Sequence, residues 1–230
     1  MMIAALYVQP KGCYSNLPDV DPWPESRDAR TYAGPWPVVA HPPCARWCRL
    51  AGLVEARWGY RRGDDGGCFE AALNAVRRWG GVLEHPAHSK AFSAYGIPAP
   101  GRGGWQRTIC GGFVCAVDQG HYGHPAKKAT WLYAFGVGAL PSMQWATIPD
   151  SKSQALVSWC GNKVKLDSHR RRLSPNEASA TPIPFRDLLL SIARSAVAQR
   201  NGGAHHPANM RVLCLTCNSR KSGLIDKRGA

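Results

Sequence analysis

The residues best suited to chemistry lie in the stretch VVAHPPCARWCRLAG, 38–52, where Cys44 follows two prolines at the end of a short β-branched run. Proline fixes its own φ and restricts the residue before it, so a Pro-Pro turn can hold the next side chain outward at a strand end. The thiolate is the competent nucleophile, and Arg46 and Arg49 are close enough in sequence to lower the thiol pKa. Forty residues further on, Glu84 ends a second apolar run, VLEH, just before Pro86. A carboxyl group there can serve Cys44 as an acid or as a hydrogen-bonding partner. Taken singly, Cys44 reads as a small buried hydrophobe and Glu84 as a loop cap; taken together they read as a site.

For the two residues to meet, the chain must place both runs in one sheet. IAALYV (3–8), PVVAH (37–41), VLEH (82–85), GFVCAV (112–117) and TWLYAFG (130–136) read as buried strands. Between the second and third, Phe69, Leu73, Val76 and Trp79 recur at helical spacing, and Gly80-Gly81 closes the helix. Strands joined by such a helix predict βαβ units, hence an α/β fold with a mostly parallel sheet and ligands at its carboxyl edge. Segment 87–111 reads as a loop, 137–172 as irregular, and 184–199 as an amphipathic helix. Cys48 lies one helical turn beyond Cys44 and reads as packing, while Trp47 and Trp105 are candidates to stack on a base.

Composition narrows the partners. Of 230 residues, 29 are Lys or Arg and 15 Asp or Glu, a formal charge of +14 that favours a polyanion such as nucleic acid. No apolar run reaches the roughly 18 residues of a membrane span. The opening MMIAALYVQP lacks the basic flank and cleavage site of a signal peptide. Nine cysteines, an odd number without a secretion signal, predict reduced thiols in a cytoplasmic setting.

The order and spacing of these segments resemble the DNA cytosine-5 methyltransferase family. HPPCARWCRLAG is similar to its Pro-Cys nucleophile motif, and GDDGGCFEAALNAVRRWGGVLEHP to the helix and Glu-Asn-Val strand that follow, with His85 and Pro86 in place of Asn and Val. YGHPAKKATWLYAFG resembles the family's Tyr-Gly-x-Pro-Gln-x-Arg-x-Arg segment, with Ala126 for Gln, Lys128 for the first Arg and Thr130 for the second. RRLSPNEAS resembles its Arg-x-Leu-Thr-x-x-Glu segment. The resemblance covers residues 37–197. It implies a Rossmann-like methyltransferase fold over 1–199, with a reduced N-terminal cofactor half and a possible reduced target-recognition insert at 137–172. It also implies a flipped DNA base, Cys44 bonded to pyrimidine C6, and Glu84 at the N3 side of the ring. DNA contacts would fall to Arg46, Lys127, Lys128, Arg171 and Arg172; a solvated surface pair is the other meaning of Lys127-Lys128.

The implied donor is S-adenosylmethionine, and here the sequence departs from the family. Only 43 residues precede Cys44, and Gly12 is the lone glycine where a Gly-rich turn is expected. Asp19, Asp21 and Asp28 are the candidate acidic partners for the cofactor, and Pro43 a further contact. The tail, 200–230, is a basic appendage similar to the second half of an HNH endonuclease. It lacks the upstream Asp-His pair and a second Cys pair, and Cys214 and Cys217 with His205 or His206 are the candidate ligands of a weak zinc site. A compact chain with such a tail suits a phage or mobile-element gene. Three alternatives stand beside a methyltransferase: a silent DNA-binding protein that keeps the fold, C5 modification with another donor, or action on free nucleotides.

Overall fold

A computed structural model describes residues 1–49, 51–156 and 171–196. The chain divides into one unit, Met1–Ala198, and a second, Gln199–Ala230, which lies outside the described residues together with Cys214, Cys217 and His205.

The first unit is a mixed α/β structure built on seven strands: β1 (Ile3–Leu6), β2 (Val20–Trp23), β3 (Val38–Ala40), β4 (Gly81–Pro86), β5 (Gln106–Arg107), β6 (Phe113–Asp118) and β7 (Ala129–Phe135). Their order across the sheet is β2-β1-β3-β4-β7-β6-β5. The first four pair in parallel, whereas β7 runs antiparallel to β4 and β6, and β5 antiparallel to β6. Five strands therefore share one direction, a mostly parallel sheet compatible with a Rossmann-like fold. The edge strand β2 carries Pro22 opposite Ala5.

Both faces of the sheet are covered, which is why its central strands read as unbroken apolar runs rather than alternating ones. On one face α2 (Cys68–Trp79) packs Phe69, Leu73 and Val76 against Ala4, Leu6, Val38, Ala40 and Leu83. On the other, α5 (Ile183–Arg194) lays Phe185, Leu189, Leu190 and Ile192 over Ile3, Ala5, Val39, Val82 and Leu132. The two-residue period of a strand sends neighbours to opposite layers: Val38 faces α2 while Val39 faces α5.

Four elements escape a reading by pattern. β2 has no alternation and contains a proline. α1 (Ala51–Trp58) leaves much of its apolar surface exposed, and α3 (Lys90–Ala94) and β5 lie inside the segment expected to be loop. No helix connects β1 to β2; turns fill residues 7–19. The segment 137–156 holds a bridge from Val137 to Ala196, one 3-10 turn and β8 (Ala155–Leu156), which pairs with β9 (Arg171–Arg172) ahead of α4 (Pro175–Ser179). Among the described residues no helix is long and apolar enough to cross a membrane.

Gly80-Gly81 does more than close α2. Gly81 has φ 129°, and a Cβ there would lie 1.9 Å from the Val38 carbonyl oxygen, inside the β3–β4 ladder. Gly81→Ala is therefore expected to cost about 3 kcal/mol or more in urea unfolding, because it pries apart the two strands that present Cys44 and Glu84. A loss below about 1 kcal/mol would show that the ladder tolerates the displacement.

Candidate active site

The carboxyl ends of β1, β3 and β4 open into one cavity of about 900 Å³, at the upper end of the range for small-molecule sites. Its sheet side is lined by Tyr7, Gly12, Tyr14, His41, Cys44 and Glu84. The opposite wall comes from the β6–β7 connection at 126–129, from 150–155 and from 175–181. A small satellite core of Ala126, Ala155 and Leu173 holds that wall together. The Ser174-Pro175-Asn176-Glu177 run forms a capping box at the start of α4: the Ser174 hydroxyl accepts from the Glu177 amide, and the Glu177 carboxylate accepts from the Ser174 amide.

Cys44 is delivered as its neighbours predict. The His41 amide donates to the Leu6 carbonyl, extending the sheet by one bond, and Pro42-Pro43 then turns the chain. The Cys44 carbonyl accepts from the amides of Trp47 and Cys48, closing a tight turn with the thiol toward the cavity. Beneath it Trp47 anchors the loop; its indole N–H donates to Asp65 at 2.7 Å. Trp105 is likewise committed, donating to the Pro141 carbonyl. Trp47 is buried and Trp105 half-buried, both packed into the protein.

Glu84 is buried, and both its oxygens are engaged. His41 Nδ1–H donates to Oε2 at 2.9 Å, and the Gln119 amide donates to Oε1 at 3.0 Å. On the far side of the imidazole, Nε2 lies 2.9 Å from the Tyr14 hydroxyl. The carboxylate acceptor fixes which imidazole nitrogen carries its proton. Gln119 is itself held by a bond to Thr130. Burial alone would raise the Glu84 pKa, but the His41 hydrogen bond and the electrostatic pull of His41 and Lys128 outweigh it and lower the carboxyl to about 2. The next residue, His85, is kept neutral by burial, its pKa lowered to about 4; its ring lies edge-on to Phe69.

The thiol behaves oppositely. Burial, then the Glu84 charge and Cys48, push Cys44 up to about 11. Arg46 does not counter this: its guanidinium lies over the Tyr60 ring at 4.0 Å, and neither Arg46 nor Arg49 lines the cavity. The cation that acts on Cys44 is Lys128, whose own pKa is lowered by burial. Lys128 Nζ donates to the carbonyls of Ser179 and Ala180, so this lysine spans the cavity rather than facing solvent. It does so from a left-handed backbone, φ 41°, and Tyr7 at the end of β1 has φ 60°; strained non-glycine positions of this kind gather at functional sites.

The remaining candidates separate cleanly. Gly12, Pro43 and Lys127 line the cavity, with Lys127 Nζ 3.4 Å from Asp150. Asp19, Asp21 and Asp28 do not line it: Asp19 pairs with Arg194, Asp21 with Arg27 and Asp28 with Arg30. Arg171 and Arg172 are exposed outside the cavity, and Arg171 pairs with Glu177. Among the described residues no group of three His, Cys, Asp or Glu is placed to hold a metal ion. His41, Tyr14 and Gln119 were not singled out in the sequence. His41 sits at the end of the same β-branched run as Cys44, and its place at a strand terminus was the signal available.

No protein-family model matches the chain, and no curated protein or solved structure matches it either.

Two outcomes follow from the site's charges. The Glu84 pKa is lower folded than unfolded, so its stabilising contribution is present above about pH 4.5 and is lost as pH falls towards about 2. The stability margin of the wild type over Glu84→Gln in urea should narrow across that interval, and His41→Ala, which strips the buried carboxylate of its partner, should cost about 3 kcal/mol at neutral pH. A margin independent of pH would mean Glu84 is not held ionised. For Cys44, alkylation by iodoacetamide, followed by peptide mass, should climb with pH and reach no plateau before about pH 11; a plateau near neutrality would show an activated resting thiolate.

Proposed function

We propose that this protein modifies cytosine in DNA at ring carbon C5, through a transient covalent bond from Cys44 Sγ to C6. The observation that carries this reading is the convergence of Cys44 and Glu84, from the carboxyl ends of adjacent parallel strands, on one cavity. The topology, a parallel half continued by an antiparallel β4-β7-β6 arrangement, accords with a Rossmann-like methyltransferase fold reduced at its N-terminal half.

The electrostatics define how the first step balances. Cys44 rests as a thiol and Glu84 as a carboxylate. Sulfur adds to C6 as its proton leaves by way of the Glu84 carboxylate to N3. The C5–C6 double-bond electrons move to C4–C5, and those of N3–C4 settle on N3 with the proton. Glu84, ionised again, accepts hydrogen bonds from N3–H and the exocyclic amine, stabilising an electron-rich C5. His41 and Gln119 hold the carboxylate in place throughout. C5 then takes an electrophile, loses its own proton and expels Cys44; with no donor present, the electrophile is a solvent proton and the base is returned.

S-adenosylmethionine is the donor the family resemblance implies, and the described residues do not fit it in the expected way. Gly12 and Pro43 line the cavity, but each candidate aspartate is tied to an arginine outside it, and no helix N-terminus follows β1. No step is drawn through that group. The same observation supports a second reading, a DNA-binding protein that retains the fold without group transfer.

The adduct step can be tested with no donor at all. In heavy water, oligonucleotides incubated with the protein should exchange the cytosine C5 hydrogen, and Cys44→Ala should abolish exchange. Glu84→Gln should slow it by about 100-fold or more, the usual scale for a positioned acid–base group. Absence of exchange, with salt-sensitive DNA binding intact, would decide for the silent binder.

A further inference from the structure

Directly after Cys44 the chain makes an excursion that the adduct chemistry leaves unexplained. Residues 45–49 and 51–63 leave the turn, form α1 and return, and the stem is closed by a bond from the Gly63 amide to the Arg46 carbonyl at 3.0 Å. Trp47 pins the stem to the core. Beyond the stem the surface is unusual for a buried-core protein: Leu53, Trp58 and Tyr60 are 60, 54 and 53 % exposed. Gly59, with φ 69°, ends the helix by donating to the Glu55 carbonyl and turns the chain so that Tyr60 comes back over Arg46.

Arginines interleave with these rings. Arg46 lies 4.0 Å from the Tyr60 centroid and Arg57 5.0 Å from that of Trp58, each approaching one face of a ring that stays more than half open to solvent. Arg49 and Arg61 are exposed alongside, and the acid within the excursion, Glu55, is paired with Arg62. Open aromatic faces held among cations suit unpaired bases on a phosphate backbone. Duplex DNA stacks its base faces internally, so it would meet the arginines but could not use the rings.

We propose that residues 45–63 form a platform for single-stranded nucleic acid, on which bases flanking the one delivered to Cys44 stack against Trp58 and Tyr60 while the arginines follow the phosphates. The inference rests on the reading of the cavity as a base-modifying site and adds the strandedness of its substrate. An unpaired target also reaches the cavity without the cost of extrusion from a helix.

The test uses the full-length protein and a fluorescein-labelled mixed-sequence oligonucleotide, as a single strand and as a duplex, read by anisotropy at several salt concentrations. The single strand is expected to bind more than about tenfold tighter than the duplex. Trp58→Ala and Tyr60→Ala should each weaken single-strand binding by about 5- to 150-fold, with Trp58→Phe and Tyr60→Phe largely retaining it. Both alanine variants should leave the salt slope unchanged, whereas Arg57→Gln should make it shallower. Equal or tighter duplex binding, or alanine variants that bind as the wild type does, would overturn the proposal. The two readings fail separately: ring-dependent single-strand binding without C5 exchange removes the enzyme and keeps the platform, and exchange confined to duplex DNA removes the platform and keeps the enzyme.

Discussion

An ionised carboxylate buried at the end of a central strand is the constraint around which this protein is arranged. Glu84 cannot stay charged there unless every element near it supplies a partner. β3 supplies His41, the loop after β1 supplies Tyr14 behind it, and the turn after β6 supplies Gln119, itself braced by Thr130 from β7. Four separate stretches of chain converge on one side chain, because a buried charge left unpaired costs more than the packing around it returns. The cavity's shape follows from this convergence.

Burial, reinforced by the same charge, keeps Cys44 a thiol at rest. A nucleophile beside a fixed anion is held protonated, and Lys128, which opposes this, is bound to two carbonyls across the cavity. A thiol held protonated is a weak nucleophile until a base receives its proton.

Much of this was legible in the sequence, for reasons that differ by element. The strands at 3–8, 37–41, 82–85, 112–117 and 130–136 and the helix from Phe69 to Trp79 were readable because a sheet covered on both faces demands continuous apolar runs, and α2 a clear 3.6-residue period. Cys44 and Glu84 stood out because a Pro-Pro turn directly precedes the cysteine and an acidic residue interrupts the apolar run before Pro86. β2 and β5 were hidden because edge strands need little apolar surface, and α1 because its exposed leucine and tryptophan break the period. His41, Tyr14 and Gln119 were hidden for a deeper reason: a hydrogen-bond relay joins residues far apart in the chain, and no local spacing encodes it. Arg46 was misjudged because proximity in sequence to Cys44 does not determine where a long side chain rests, and the Tyr60 ring, brought back by Gly59, captures it.

The two margins of the sheet carry a different consequence. At one margin stands β2, where Pro22 has no amide hydrogen to offer; at the other stands β5, only two residues long. A further strand from another chain would find an interrupted row of donors on the first side and almost no row on the second. Protection against templated fibrillation is therefore written into the outermost described strands, which offer little of the ladder on which aggregates grow.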